Sequence, residues 1–431
     1  MWAVLSKTTF FHGFFRENCL TNYMVGLHYE KKQNDTLILH LVFCGFYYKK
    51  MSSKMIARTK FAVGHFLTEK PDDPASFAEL AKRFAPRLRE VYFPWPGLSN
   101  ARAKVYDKPD DEERIVADLK YCREQGMKLD ILANATCYAE KGFTEEQRLQ
   151  IVGIIRHLDE LGLYPEIVTT TSPYIANVFK QNFPDIEVRA SVNMRLRNTL
   201  ALEYLAPLYD SYYICRDVQR DLPTFRKMAA WCRDHGKKLC MLANSGCVRN
   251  CPWQVFHETL LSHGFTFTFA EMAFQNIDLV CNKIFAQKKM LSEFLRCTWI
   301  RPEDIHVFEP ELETIKLSTR EARFPMEIVE AYVNASYDGN LLRLMDPYHG
   351  YGFRPNRVDN KSFPDDWVTS GIAGKCADNC THCGKCEQIL AQVTKFDIKP
   401  GARMDGFSLV QPFTLLAPKK KNNSTLEYNE N

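Results

Sequence analysis

The sequence predicts an α/β fold closed as a TIM-type (β/α)8 barrel, and three observations predict it. From residue 60 onward, short runs rich in β-branched and aromatic residues alternate with amphipathic helical stretches, the pattern of a parallel sheet with crossover helices. Eight such runs fall within roughly 260 residues, the size of one barrel of this type. No G-x-G-x-x-G turn follows the first run, so the competing open, doubly wound sheet lacks its usual phosphate-binding signature.

The predicted strands, in order, are Lys60–Phe66, Glu90–Trp95, Lys128–Ala133, Glu166–Thr171, Glu187–Val192, Ser211–Cys215, Lys238–Ala243 and Thr314–Ser318. Helices are predicted between them over Ser76–Phe84, Asp111–Glu124, Thr144–Leu161, Pro173–Gln181, Thr199–Tyr204 and Pro223–Asp234, with another at Pro325–Tyr337. Gly126, Gly162 and Gly236 stand where helices should stop before the next strand. One spacing breaks the rhythm. About 70 residues separate the seventh strand from the eighth, on the side of the barrel where strand-to-helix loops build functional sites. That insertion opens with a cysteine pair.

Three segments follow from this reading. Residues 1–54 are irregular and aromatic-rich, and are expected to be a poorly ordered extension or a misassigned start before Met51 or Met55. Residues 55–340 hold the barrel. Residues 341–431 form a C-terminal extension with a small cysteine-rich segment and a polar tail. The apolar run Leu37–Tyr48 contains His40 and is too short to cross a bilayer as a helix, so no membrane span is expected. No clear signal peptide is seen, so the expected location is the cytoplasm.

Of 431 residues, 45% are hydrophobic and 25% charged, ordinary for a globular protein, and a net charge of +4 is too mild to indicate nucleic acid. The 15 cysteines are the unusual feature. In a reducing compartment they point to metal ligation rather than disulfides. The plainer alternative, burial as small free thiols, fits Cys122, Cys215 and Cys232.

Two cysteine groups stand out. The seventh strand runs into Leu242-Ala-Asn-Ser-Gly-Cys247-Val-Arg-Asn-Cys251-Pro-Trp253, a C-x3-C-P loop able to aim two thiolates at one metal. Further ligands must come from the insertion, where Cys281 and Cys297 are available; Cys240 sits in the strand and is expected to face the core. Thiolate ligation alone suits an iron–sulfur cluster or zinc equally. The second group is Cys376, Cys380, Cys383 and Cys386, four thiols in eleven residues, for which zinc or a second cluster is open. His382 lies within it, although four cysteines complete a tetrahedral set without it.

Smaller signals surround these. LANATC ends the third strand as LANSGC follows the seventh, so Cys137 falls at the same offset as Cys247 and is a ligand, a substrate-facing thiol or a packed residue. Arg301, Lys316 and Arg320 flank the eighth strand as candidates for holding an anionic substrate, with structural salt bridges the alternative. Glu303 and Asp304 are read as helix-capping residues. Asn193 and His65 end strands and are expected to look into the mouth. His257, and the aromatics Tyr92, Phe93 and Trp95, read first as packing residues.

Taken together, VYFPW near residue 91, NATC near 134, NSGCVRNCPWQVFH from 244, WIRPED from 299 and the K-x3-R of IKLSTR resemble the collagenase-like family long labelled peptidases of unknown catalytic type. That family includes UbiU/UbiV-like proteins and relatives in tRNA and ribosomal RNA hydroxylation. The resemblance covers about residues 58–325. It implies a [4Fe–4S] cluster in the barrel mouth on Cys247 and Cys251, with Cys281 and Cys297 as the remaining ligands. It also implies oxygen-independent hydroxylation of an RNA base or small aromatic precursor, prephenate being the oxygen donor in several relatives, and a paired family subunit as partner. The first 54 residues and the C-terminal cysteine group depart from the hydroxylation members. The alternatives are a peptidase, which lacks an H-E-x-x-H helix or G-x-S-x-G elbow here, and a non-catalytic iron–sulfur subunit.

Overall fold

A computed structural model describes residues 60–69, 73–101, 110–263, 280–372 and 383–396. The expectations for residues 1–54, for the run Leu37–Tyr48, and for Cys376, Cys380 and His382 lie outside the described residues.

Eight strands form a closed parallel barrel: β1 Phe61–Gly64, β2 Leu88–Phe93, β3 Lys128–Ala133, β4 Ile167–Thr170, β5 Glu187–Ala190, β6 Ser211–Tyr213, β7 Lys238–Leu242 and β8 Thr314–Leu317. Each pairs with the next in sequence, and β8 returns to β1 with Ala62 opposite Lys316. The chain is therefore a TIM-type (β/α)8 barrel.

Helices α1 Phe77–Phe84, α2 Asp111–Glu124, α3 Glu145–Glu160, α4 Pro173–Asn182, α5 Thr199–Leu205 and α6 Leu222–Asp234 alternate with the first seven strands. Local chemistry sets their ends. Ser76 and Thr144 accept hydrogen bonds from the Glu79 and Gln147 amides, as N-caps do. Gly126, Gly162 and Gly236 stop α2, α3 and α6 at positive φ, where a side chain would be strained.

Period-two alternation sorts the strand residues. Phe61, Val63, Val91, Phe93, Leu129, Ile131, Val168, Val188, Met241, Ile315 and Leu317 turn outward into one continuous core beneath the helices. The residues between them turn inward and make a different interior. Two small apolar clusters lie there, Ala62–Tyr92–Leu132 and Val192–Tyr213–Cys240–Leu242. The remaining space holds charge. Arg189 reaches Glu90 with two bonds of 2.6 and 3.1 Å, Glu187 at 2.8 Å and Ser211 Oγ at 3.0 Å. Thr169 Oγ1 donates to Asp130 at 2.8 Å. Cys240 faces this interior, fully buried.

The same parity corrects one expectation. His65 shares the outward phase of Phe61 and Val63, so it does not look into the mouth; it stacks edge-on to Phe77 and pairs with Asp118 at 2.9 Å.

After β7 the insertion carries α7 Gln254–Ser262, α8 Val280–Phe285 and α9 Glu293–Arg296. After β8 comes α10 Pro325–Val333, which stops before the predicted Tyr337 because Ala335 turns to a φ of 46°. A strand β9 Asn356–Val358 pairs antiparallel with β10 Thr394–Phe396, which follows α11 Lys385–Val393. Ser292 Oγ donates to Glu387 at 2.8 Å, tying α11 to the insertion near α9. Among the described residues no helix is long and apolar enough to cross a membrane.

Candidate functional site

The loop after β7 is anchored on three sides before it reaches its first cysteine. Asn244 donates to Ser318 O and Leu344 O, both at 3.0 Å, and accepts from the Ser318 amide at 2.6 Å. One buried amide therefore joins the ends of β7 and β8 to the C-terminal extension. Ser245 and Asp346 form a parallel bridge, and the Gly246 amide donates to Asp346 O at 2.8 Å. A Cβ on Gly246 would lie 2.4 Å from Pro347 O, so this close approach requires glycine. His349 Nε2 donates to Gly246 O at 3.0 Å.

Cys247 follows at once. Its carbonyl accepts from the Thr298 amide at 3.0 Å, which brings the Cys297 segment alongside. Asn250 takes a φ of 54° and donates its amide to Asp217 at 2.9 Å, turning the chain so that Cys251 precedes α7. Cys281 lies on α8, and Cys297 ends α9. The Arg220 guanidinium holds that end by donating to Leu295 O at 2.8 Å and Cys297 O at 2.6 Å. It lies 5.0 Å from the Trp299 ring and 5.6 Å from Trp367.

The four thiols form one electrostatic group. Burial pushes the Cys281 thiol up to about 11, and Cys247 adds to that shift. Burial likewise raises Cys297 well above its ordinary value, with Cys247 and Cys281 contributing, and burial followed by Cys247 raises Cys251. The upward shifts of Cys251, Cys281 and Cys297 favour the thiol form; a bound metal would reverse that by stabilising thiolate. A cation already stands beside them. Arg216 donates to Cys247 Sγ at 3.4 Å and pairs with Glu258, which Arg195 also holds at 2.9 Å. Burial would lower the Arg216 pKa, but Cys247 and Glu258 outweigh it and raise it.

A cavity of about 170 Å³ occupies the mouth, with Cys247, Cys251 and Cys281 on one side and Lys316, Ser318 and Arg320 on the β8 side. Asn193, Tyr92, His257, Glu258 and His349 also line it. The donor set suits a thiolate-ligated metal or cluster in kind, and three of its four thiols, Cys247, Cys251 and Cys281, line one cavity. Among the described residues no three His, Cys, Asp or Glu side chains stand at metal-ligating spacing.

The other sequence candidates fall elsewhere. Cys137 is partly buried and is not among the residues lining the cavity. Arg301 is buried in a two-pronged pair with Asp304 at 2.7 and 2.8 Å, under the Phe363 ring, and does not line it either. Glu303 accepts from Asn360, Lys361 and the Tyr337 amide, joining the extension to the barrel. Cys383 is exposed and Cys386 buried in α11. Cys122, Cys215 and Cys232 are buried free thiols.

Four mouth residues were not singled out from sequence. Arg216 lies shortly beyond the end of β6, a position where barrels place functional groups, and that offset was a usable signal. Arg195, Glu258 and His349 sit in irregular or helical contexts that carry none.

No family model matches the chain. It is 23% identical over 332 residues to an uncharacterized protease of Methanocaldococcus jannaschii, an alignment covering 74% of this chain and 92% of that one. A solved U32 peptidase superposes with a TM-score of 0.42 and 13% identity, over 60% of this chain and 92% of that one. An endo-beta-1,4-mannanase of Thermotoga petrophila superposes at a TM-score of 0.32 and 10% identity, over 48% and 64% of the two chains.

Proposed function

We propose that this chain is a UbiU/UbiV-like member of the collagenase-like (U32) peptidase family. In this reading it is a cytoplasmic iron–sulfur protein of oxygen-independent hydroxylation, acting on an RNA base or a small aromatic precursor. The observation that carries the reading is that Cys247, Cys251 and Cys281 line one cavity at the barrel mouth, with the buried Cys297 electrostatically coupled to Cys247 and Cys281. The likeness to the Methanocaldococcus jannaschii protein along three quarters of the chain supports the family.

Those four thiols would hold a [4Fe–4S] cluster, which when bound supplies one-electron redox chemistry beside the cavity. The chain's own residues do the rest. Arg216 donates to the Cys247 sulfur and lowers the cost of gathering negative charge there. Arg220 fixes the Cys297 backbone. Arg320 offers positive charge to an anionic substrate from the β8 side. Leu132, Val192, Leu242 and Leu261 give the cavity apolar walls that exclude water. Cys376, Cys380, Cys383 and Cys386 would hold zinc or a second cluster, and a paired family subunit is the proposed protein partner.

The Methanocaldococcus jannaschii relative, an uncharacterized protease, favours a second reading, a peptidase. Comparing RNA nucleosides and aromatic precursors in cells with and without the gene, grown without oxygen, separates the two. Loss of one hydroxylated species supports hydroxylation. An unchanged set, together with cleavage of a peptide library by the purified protein, overturns it.

A further inference from the structure

Lys316 is the anomaly of the mouth. It points inward from β8 one residue before the strand's end, is 9% exposed, and lines the cavity. Among the described residues its ammonium makes no hydrogen bond and no ion pair. Its neighbours are two aromatic faces, with Nζ 3.6 Å from the centre of the Tyr92 ring and 5.4 Å from that of Tyr213. Gly64 permits this arrangement, because a Cβ there would meet the Tyr92 ring at 2.5 Å, and the Tyr92 hydroxyl is tied back to Leu317 O at 2.8 Å.

A lysine kept only for structure is ordinarily satisfied by a carboxylate or carbonyls, as Lys238 is by Glu187 at 2.5 Å and Lys237 by Ala206 O and Tyr209 O at 2.9 and 2.7 Å. The carboxylates nearest Lys316 in charge terms are already engaged. Glu90 holds Arg189, and Asp130 accepts from Thr169.

We propose that Lys316 is a nucleophilic amine that condenses with the carbonyl carbon of a small aldehyde or ketone bound in the mouth cavity. This goes beyond the cluster reading and does not depend on it. The neutral amine donates its lone pair to the carbonyl carbon, forming a C–N bond and a carbinolamine. The C–O bond then breaks as the nitrogen lone pair forms C=N. The carbonyl oxygen leaves as water, whose two hydrogens balance the two lost from the amine, and no electrons change hands. Protonated from solution, the imine is a cation that the Tyr92 face stabilises as it does the ammonium.

Electrostatics agree with the geometry. Burial lowers the Lys316 pKa, with Arg320 and Arg189 adding to the effect and Asp130 and Glu90 opposing it. A larger share of the amine is therefore neutral near pH 7 than for an exposed lysine.

The test uses the full-length protein, with propanal and pyruvate as probes and sodium cyanoborohydride to fix any imine. Peptide mass spectrometry then ranks the lysines by rate of labelling. Lys316 should carry the reduced adduct on the order of tenfold faster than exposed lysines, as one unit of pKa lowering gives a tenfold larger neutral fraction. Exposed lysines that make no ion pair among the described residues, such as Lys288 and Lys289, are internal references. Lys316→Arg should abolish the fast label while far-UV circular dichroism and iron content stay unchanged. Labelling of Lys316 no faster than the references, with either probe, overturns the proposal. Fast labelling in iron-free protein, or in the Cys247→Ala variant, shows that it stands even if the cluster reading fails.

Discussion

Replacing Arg189 by methionine would leave Glu90 facing the closed barrel interior without its two-bond partner, with only Arg89 at 3.5 Å as an ion-pair partner among the described residues. Arg189 and Glu90 are fully buried and are joined by two hydrogen bonds, so neither has water to fall back on. Breaking one partner of such a pair costs about 3–5 kcal/mol. Arg189→Met should therefore lower the unfolding free energy measured in urea by that amount, whereas Arg233→Met, removing a pair with Glu311 at the surface, should cost under about 1 kcal/mol. At this scale the sequence was legible where residue type limits the chemistry. The pair Cys247 and Cys251 is visible from spacing, and Lys316 and Arg320 from their place at the end of a strand. Arg301 carried a similar signal but is consumed by Asp304 three residues on, a contact that spacing alone could not separate from substrate binding. Arg189 reads as an ordinary polar strand residue because charge inside a barrel has no local signature; its partner Glu90 lies 99 positions away.

Among the elements, the loop after β7 depends most on its neighbours. Its backbone is pressed against residues 345–347, and Gly246 is the contact point. A methyl group there would sit 2.4 Å from Pro347 O and 3.2 Å from Met345 Cβ, and Pro347 O is backbone that cannot swing aside. Gly246→Ala should cost about 1–3 kcal/mol in thermal unfolding, the range for overpacking. Because the displaced loop carries Cys247, it should also reduce iron content. A stability loss with full iron content would mean that the loop relaxes away from the thiols. Strands and helices were read correctly in kind because alternation and glycine stops are local. The docking of residues 341–349 on the mouth was not, since it rests on Asn244, Gly246 and two carbonyls distant in sequence. His349 reaches the site by that long-range packing.

For the molecule as a whole, acid should remove stability over two identifiable pH ranges. Burial lowers His349 from 6.5 to about 4. Its unfolded form binds the proton more tightly, so stability present above pH 6.5 is lost as pH falls towards 4, by about 3 kcal/mol. Burial alone would raise Glu187, but Arg189, Lys238 and Ser211 outweigh it and hold it down to about 2. Its contribution is present above 4.5 and is lost as pH falls towards 2. Urea midpoints at closely spaced pH values should show the first loss disappear in His349→Gln and the second persist.

In the proposed function, Cys247, Cys251, Cys281 and Cys297 hold one iron–sulfur cluster at the mouth. Iron and acid-labile sulfide, quantified after anaerobic purification of wild type and of Cys281→Ser/Cys297→Ser protein, test it most directly. About four irons and four sulfides per barrel-mouth site in wild type, lost in the double variant as in Cys247→Ala/Cys251→Ala, is the result the account predicts. Iron-free wild-type protein, or iron untouched by either pair of substitutions, would contradict it.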